Sequence, residues 1–286
     1  MKTNKPLIKW GWLRVLIYLA TIAGAGFGAQ YLSVPIGQLM KENVEKILVD
    51  FATFAAAYCA TGIIFIGLTF LFTKFINRQT IMSIGFAIRN YKNESLIGFF
   101  TPFFLLGTGS LILIGTGHLS INGIVFKPLL LLLQMLLMMV VAVVEETMFR
   151  GYILNNLMQS MNKWIALLLS ALLFAFAHLA NPDVTWVSFV NILLAGLLLG
   201  VNYVYTKNLW YGITFHFAWN FFQGPILGYD VSGYKLPALL TQTVTGSSFF
   251  TGAPFGFEGS FVCTVLLLIT IIVFYYLFAK RYDATQ

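Results

Sequence analysis

Six side chains in this sequence are of types that exchange protons, carry charge or bind polar ligands, and all six sit in apolar surroundings. Glu145, Glu146 and Arg150 end the run V-V-A-V-V-E-E-T-M-F-R-G, Val140 to Gly151. From Pro128 to Val144 the only polar side chain is Gln134. That is the composition of a helix in hydrocarbon, where an ionisable group costs ~2.5 to 3.5 kcal/mol. His178 closes F-A-F-A-H, while His216 and Asn220 bracket H-F-A-W-N. Carboxylates and imidazoles are the groups that move protons in catalysis, and together they form a donor set for a metal ion.

Spacing sorts these groups. Glu146 and Arg150 are four apart on one helical face and are expected to form a structural ion pair, while Glu145 lies about 100° round the axis and must meet something else. A blander reading is that all three charges end a helix at the membrane surface, where long side chains snorkel to water. His216 and Asn220 are again four apart on one face. His118, in G-T-G-H-L, has a loop-like context. A lone intramembrane histidine is usually an interhelical hydrogen bonder. Two of them, with an asparagine and a spare carboxylate in four neighbouring segments, are harder to dismiss.

The elements that must position these groups are membrane spans. The chain has 286 residues, 59% hydrophobic and only 9% charged, against about 25% charged in soluble domains. This predicts an all-α polytopic membrane protein, one membrane domain over 1–286. Apolar stretches long enough for about 30 Å of hydrocarbon fall at roughly 15–35, 47–73, 96–117, 128–147, 164–180, 186–205, 209–227 and 259–279. The fifth and seventh are short and carry the histidines. The first resembles a signal peptide in its basic start and its Ala23-Gly24-Ala25, but its apolar length runs on to Leu32, which favours an uncleaved anchor. Cys59 and Cys263 lie in apolar runs and read as small buried hydrophobes.

With both termini cytoplasmic, 13 of the 17 basic residues fall inside and only Lys41, Lys46, Lys127 and Lys235 outside. The positive-inside rule favours this orientation, and the +7 net charge then needs no nucleic-acid partner. The stretch Gly228 to Gly259, rich in Gly, Ser, Thr and Pro, is expected outside, as a plain loop or folded back over the bundle. At 1.5 Å per residue, Glu145 lies about 15 Å below Asn155, His178 about 21 Å below Trp164 and His216 about 12 Å below Asn208. These overlapping depths permit one site in the cytoplasmic half of the bilayer.

E-E-T-M-F-R, F-A-F-A-H and H-F-A-W-N, in this order on separate spans, resemble the EExxxR, FxxxH and HxxxN motifs of the CAAX-protease and bacteriocin-processing family of intramembrane proteases. The resemblance covers roughly 140–224, within a family-like core of about 96–279, and before Leu96 no family pattern is visible. It implies an eight-helix core with Glu145 as general base, His178 and His216 beside it, and Asn220 stabilising the oxyanion. Peptide hydrolysis needs such groups: a base for water and donors for the charge developing on the carbonyl oxygen.

The cofactor is open between none and zinc, for which His178, His216 and Glu145 are the candidate ligands. No H-E-x-x-H is present and no carboxylate is recognisable behind either histidine, which favours a metal-free site. The partners implied are the lipid bilayer and a membrane-associated peptide or protein substrate, in a bacterial plasma membrane. Two other functions compete. A transporter also keeps ionisable groups near midplane, but shows repeats or matched broken helices, neither of which is visible. A non-catalytic bacteriocin-immunity or scaffold protein has no need of an intact motif set, yet none of the motif residues is lost.

Overall fold

The computed structural model describes residues 5–39 and 46–282, with the side chains of residues 29–39 left aside; Lys2 and Lys41, used in the charge count, lie outside the described residues. Eight apolar helices follow one another. They are α1 (Gly11–Leu39), α2 (Lys46–Leu71, continued by a π-helical turn Phe72–Ile76), α3 (Lys92–Gly115) and α4 (Pro128–Glu146, continued by a π-helical stretch Thr147–Leu154 and a last turn Asn155–Leu157). Then come α5 (Lys163–Ala177), α6 (Trp186–Thr206), α7 (Trp210–Phe221, with a π-helical turn Phe222–Ile226) and α8 (Phe261–Tyr282).

Six of these, all but α5 and α7, are long and apolar enough to cross a membrane among the described residues. The fold is thus an all-α polytopic membrane bundle, but two of the eight expected spans are short. Helix α5 has 15 residues and α7 has 12 before its π turn. At 1.5 Å per residue, 15 residues make about 22 Å, short of the hydrocarbon thickness. These two carry His178, Asn220 and His216. Helix α4, by contrast, runs about ten residues past its expected end, as one 30-residue element to Leu157.

Local chemistry sets several ends. Pro128 opens α4, where its missing N–H would have no helical acceptor. The side chain of Asn162 accepts from Trp164 N at 2.9 Å to open α5. Thr185 and Ser188 cap one another's backbone at the start of α6. Helix α1 passes without a break through Ala23-Gly24-Ala25, and Ala23 lines an internal cavity.

The connections gather at two ends. At one, Gly11 N donates to Ser160 Oγ at 2.6 Å, Arg14 donates to Asn77 and Gln159, Asn208 Nδ2 donates to Ala87 O and Arg281 pairs with the buried Glu94 at 2.9 Å. This end carries the starts or finishes of the elements bearing Lys9, Lys74, Lys163, Lys207 and Lys280. At the other end, strand β1 (Leu119–Ile124) pairs antiparallel with β2 (Leu240–Val244), with a register shift between Ile121 and Gly123.

That pairing answers the question left open for Gly228–Gly259: it folds back. Gln134 of α4 donates to Pro237 O at 2.6 Å, and Ser110 of α3 meets Tyr229 at 3.0 Å. The buried carboxylate of Glu258 receives the backbone N–H and hydroxyl of Ser232, and Trp219 Nε1 at 3.3 Å. Asn191 of α6 donates to the carbonyls of Glu258 and Ser260. A Cβ on Gly233, at φ +85°, would stand 2.2 Å from Pro182 O, so only glycine permits the loop to lie this close to the α5–α6 turn.

Candidate active site

Glu145 and Glu146 are the last α-helical residues of α4 before its backbone widens into the π-helical stretch, a distortion often found at functional positions. The side chains diverge as the 100° offset requires. Glu146 and Arg150 are 0% and 1% exposed, which rules out helix-end charges snorkelling to water. Arg150 Nη1 donates to Glu146 Oε1 at 2.9 Å, so the expected ion pair is made. Arg150 Nη2 donates to Gly196 O at 3.0 Å, and its guanidinium lies 4.6 Å from the Phe174 ring.

Glu146 also does something the spacing did not reveal. Its Oε1 accepts from His216 Nδ1 at 3.0 Å. A proton fixed on Nδ1 leaves His216 Nε2 with its lone pair facing the cavity in the neutral ring. His178, at the C-cap of α5, is held in the same sense: Nδ1 donates to Phe174 O at 2.8 Å. Phe174, the phenylalanine of F-A-F-A-H, thus touches Arg150 with its ring and holds His178 through its carbonyl. Close approach of α7 to α4 depends on Gly212, where a Cβ would stand 2.6 Å from Glu146 Oε2.

Both free Nε2 atoms face Glu145. Its Oε2 is 3.8 Å from His216 Nε2 and 3.9 Å from His178 Nε2, and makes no hydrogen bond within the protein. These distances exceed direct hydrogen bonds, yet an oxygen atom 2.8 Å from both ends of either gap is geometrically allowed. Asn220, one turn beyond His216 and 8% exposed, lines the same cavity. The four expected site residues therefore meet in one place.

The cavity holds about 600 Å³. Its walls are mostly apolar: Leu19 and Ile22 of α1, Phe65 of α2, Met148 and Ile153 of α4 and Leu173 of α5. Its polar rim includes Asn181, Ser232 and Tyr234, at the end bearing the folded-back loop. Two contributions come from helices with no family pattern in their sequence. Helix α1 supplies wall, and Tyr58 of α2 donates its hydroxyl to Glu145 Oε1 at 2.7 Å. The first two spans are part of the site.

Zinc takes donors of this kind, but the separations of 3.8 and 3.9 Å are wider than the edge of about 3.3 Å that ~2.0 to 2.1 Å bonds give a tetrahedral shell. Among the described residues no group of three or more His, Cys, Asp or Glu is placed to hold a metal ion. As placed, the residues do not fit one. One reason drawn from sequence for a metal-free site is overturned by the structure. A carboxylate does stand behind one histidine, since Glu146 holds His216, and the sequence concealed it because the two are 70 residues apart.

No curated protein and no solved structure matches the chain significantly. A family model does: residues 127–222 match the one described as Rce1-like, Type II CAAX prenyl endopeptidase Rce1-like. The matched third of the chain runs from the start of α4 into α7 and contains Glu145, Glu146, Arg150, His178, His216 and Asn220. Through that segment the chain is similar to the type II CAAX prenyl endopeptidase family.

Proposed function

We propose that the chain is an intramembrane endopeptidase whose site is Glu145, His178, His216 and Asn220. The observation that carries this reading is the convergence of Glu145 Oε2 and two imidazole Nε2 atoms on one point of a largely apolar cavity. Protein acceptors gathered without a donor between them suit a water that donates both its protons. Glu145 Oε2 takes one proton as the water oxygen bonds to the carbonyl carbon of the scissile peptide. The amide of Asn220 donates to the oxygen that becomes negative. The C–N bond breaks as the leaving nitrogen receives the proton held by Glu145, directly or through His178 or His216; the water's second proton, still on the new carboxyl group, then passes through the same groups to the freed amine, and the products are a carboxylate and an ammonium. Glu146 keeps His216 in the tautomer that faces Glu145, and Arg150 balances the charge of Glu146.

The cavity supports the substrate class. Its apolar walls suit a lipid-like or strongly hydrophobic portion, and its polar rim at Asn181 and Ser232 suits peptide backbone. The family description names prenyl endopeptidases; a prenylated peptide is one member of the class, and a hydrophobic precursor or membrane-anchored factor is another. We place the whole chain in one membrane domain of a bacterial plasma membrane, with both termini and the basic end of the bundle in the cytoplasm. Comparative peptidomics of cells carrying the intact protein or Glu145→Ala tests the reading. Peptides that depend on Glu145 name the substrate, and identical peptidomes contradict the proposal.

A further inference from the structure

We infer that Tyr58, on a helix outside the family-matched segment, is the residue that aims the base. A carboxylate offers two oxygens, and which one faces the reacting water depends on what holds the other. Here Glu145 Oε1 accepts the hydroxyl of Tyr58 at 2.7 Å, while Oε2 is left unpartnered and turned to the two histidines. The phenol is itself held in place. Its ring packs at 5.8 Å on Phe54, which packs at 4.9 Å on Tyr234 of the folded-back loop.

Given Glu145 as the base proposed above, on which this assignment rests, the consequence is mechanical. Without the Tyr58 hydroxyl, Oε1 and Oε2 become equivalent acceptors and the carboxylate rotates freely about its last bond. The water then loses one fixed partner. Misplacement of a reacting group by about 1 Å costs on the order of 100-fold in rate. Tyr58 touches neither water nor peptide in this scheme, so it is a positioning residue: its loss slows turnover and leaves substrate binding alone. It also ties α2 to the chemistry, which explains why a helix without motif residues packs over Glu145.

The test uses the full chain purified in detergent and an internally quenched fluorescent peptide with an apolar tail, selected on the parent protein. Tyr58→Phe, which removes one oxygen and keeps the ring on Phe54, is expected to lower kcat about 10- to 100-fold with KM within about twofold. Tyr276→Phe, the same deletion at a tyrosine of α8 that is itself 66% exposed, is expected to match the parent. Parental kcat in Tyr58→Phe overturns the inference, and so does a raised KM at unchanged kcat, which would make Tyr58 a substrate contact. Should Tyr58→Phe not fold, ring-fluorinated tyrosines placed at 58 keep the shape and change the hydroxyl's acidity. Turnover must then vary across the series at constant KM, and a flat series overturns the inference. Glu145→Gln run alongside separates the failures: cleavage by that variant removes the base and Tyr58 with it, while a dead Glu145→Gln beside a parental Tyr58→Phe removes only the role of Tyr58.

Discussion

The carboxylate of Glu146 accepts from His216 at 3.0 Å through the same Oε1 that pairs with Arg150 at 2.9 Å. One oxygen thus joins the ion pair of α4 to the ring that faces Glu145, and a residue expected only to hold its own helix also sets the orientation of a histidine on α7. Replacing Glu146 by Gln removes the charge from both contacts. The rate per folded molecule is expected to fall about 10- to 100-fold, as for other carboxylates that orient a functional histidine. Activity measured on the monodisperse fraction decides it; a parental rate would leave Glu146 with the ion pair alone.

Arg150 has one buried charged partner, one backbone acceptor and an aromatic face. Arg150→Ala strands the buried carboxylate of Glu146, at a cost of ~3 to 5 kcal/mol. Thermal unfolding in detergent should show a lowered midpoint and cells should hold less folded protein. Glu145→Gln, which strands no charge, should unfold like the parent.

The polar residues of the chain were legible because hydrocarbon makes each of them conspicuous. Glu146 and Arg150 could be paired from the sequence since helical spacing reports i,i+4 neighbours, and counting along helices brought Glu145, His178 and His216 to overlapping depths. Spacing is silent between helices. Tyr58 is one of 13 tyrosines in a chain full of aromatic residues, 87 positions from its acceptor, and nothing local marks it. The contact of Glu146 with His216 was hidden for the same reason. The fold of Gly228–Gly259 depends on partners far away, Gln134, Asn191 and β1, and its Gly, Ser and Pro composition speaks only of turns. The π-helical stretch after Glu146 has no periodicity signal, because eight residues fit α and π windings equally well.

The orientation proposed above rests on charge. With the basic end of the bundle inside, a single cysteine at position 78 should react with an impermeant maleimide only after the membrane is opened, and one at position 242 in β2 should react in intact cells. Labelling of position 78 from outside would invert the bundle.

The separations of 3.8 and 3.9 Å around Glu145 Oε2 suit a water better than a tetrahedral zinc. Activity of the purified protein should therefore survive prolonged treatment with a strong chelator. Loss of activity that zinc alone restores would mean that the three side chains close in on a metal.

The most direct test of the account is cleavage of an apolar-tailed peptide by the purified chain, parent against Glu145→Gln, His178→Ala, His216→Ala and their pairwise combinations. Residues acting as one unit are strongly non-additive, so each single substitution should abolish measurable cleavage and each double should cost little more. Asn220→Ala should keep a remnant, about 10² to 10³ below the parent, as loss of one oxyanion donor does. Full activity in folded Glu145→Gln would contradict the central claim that this carboxylate activates the water.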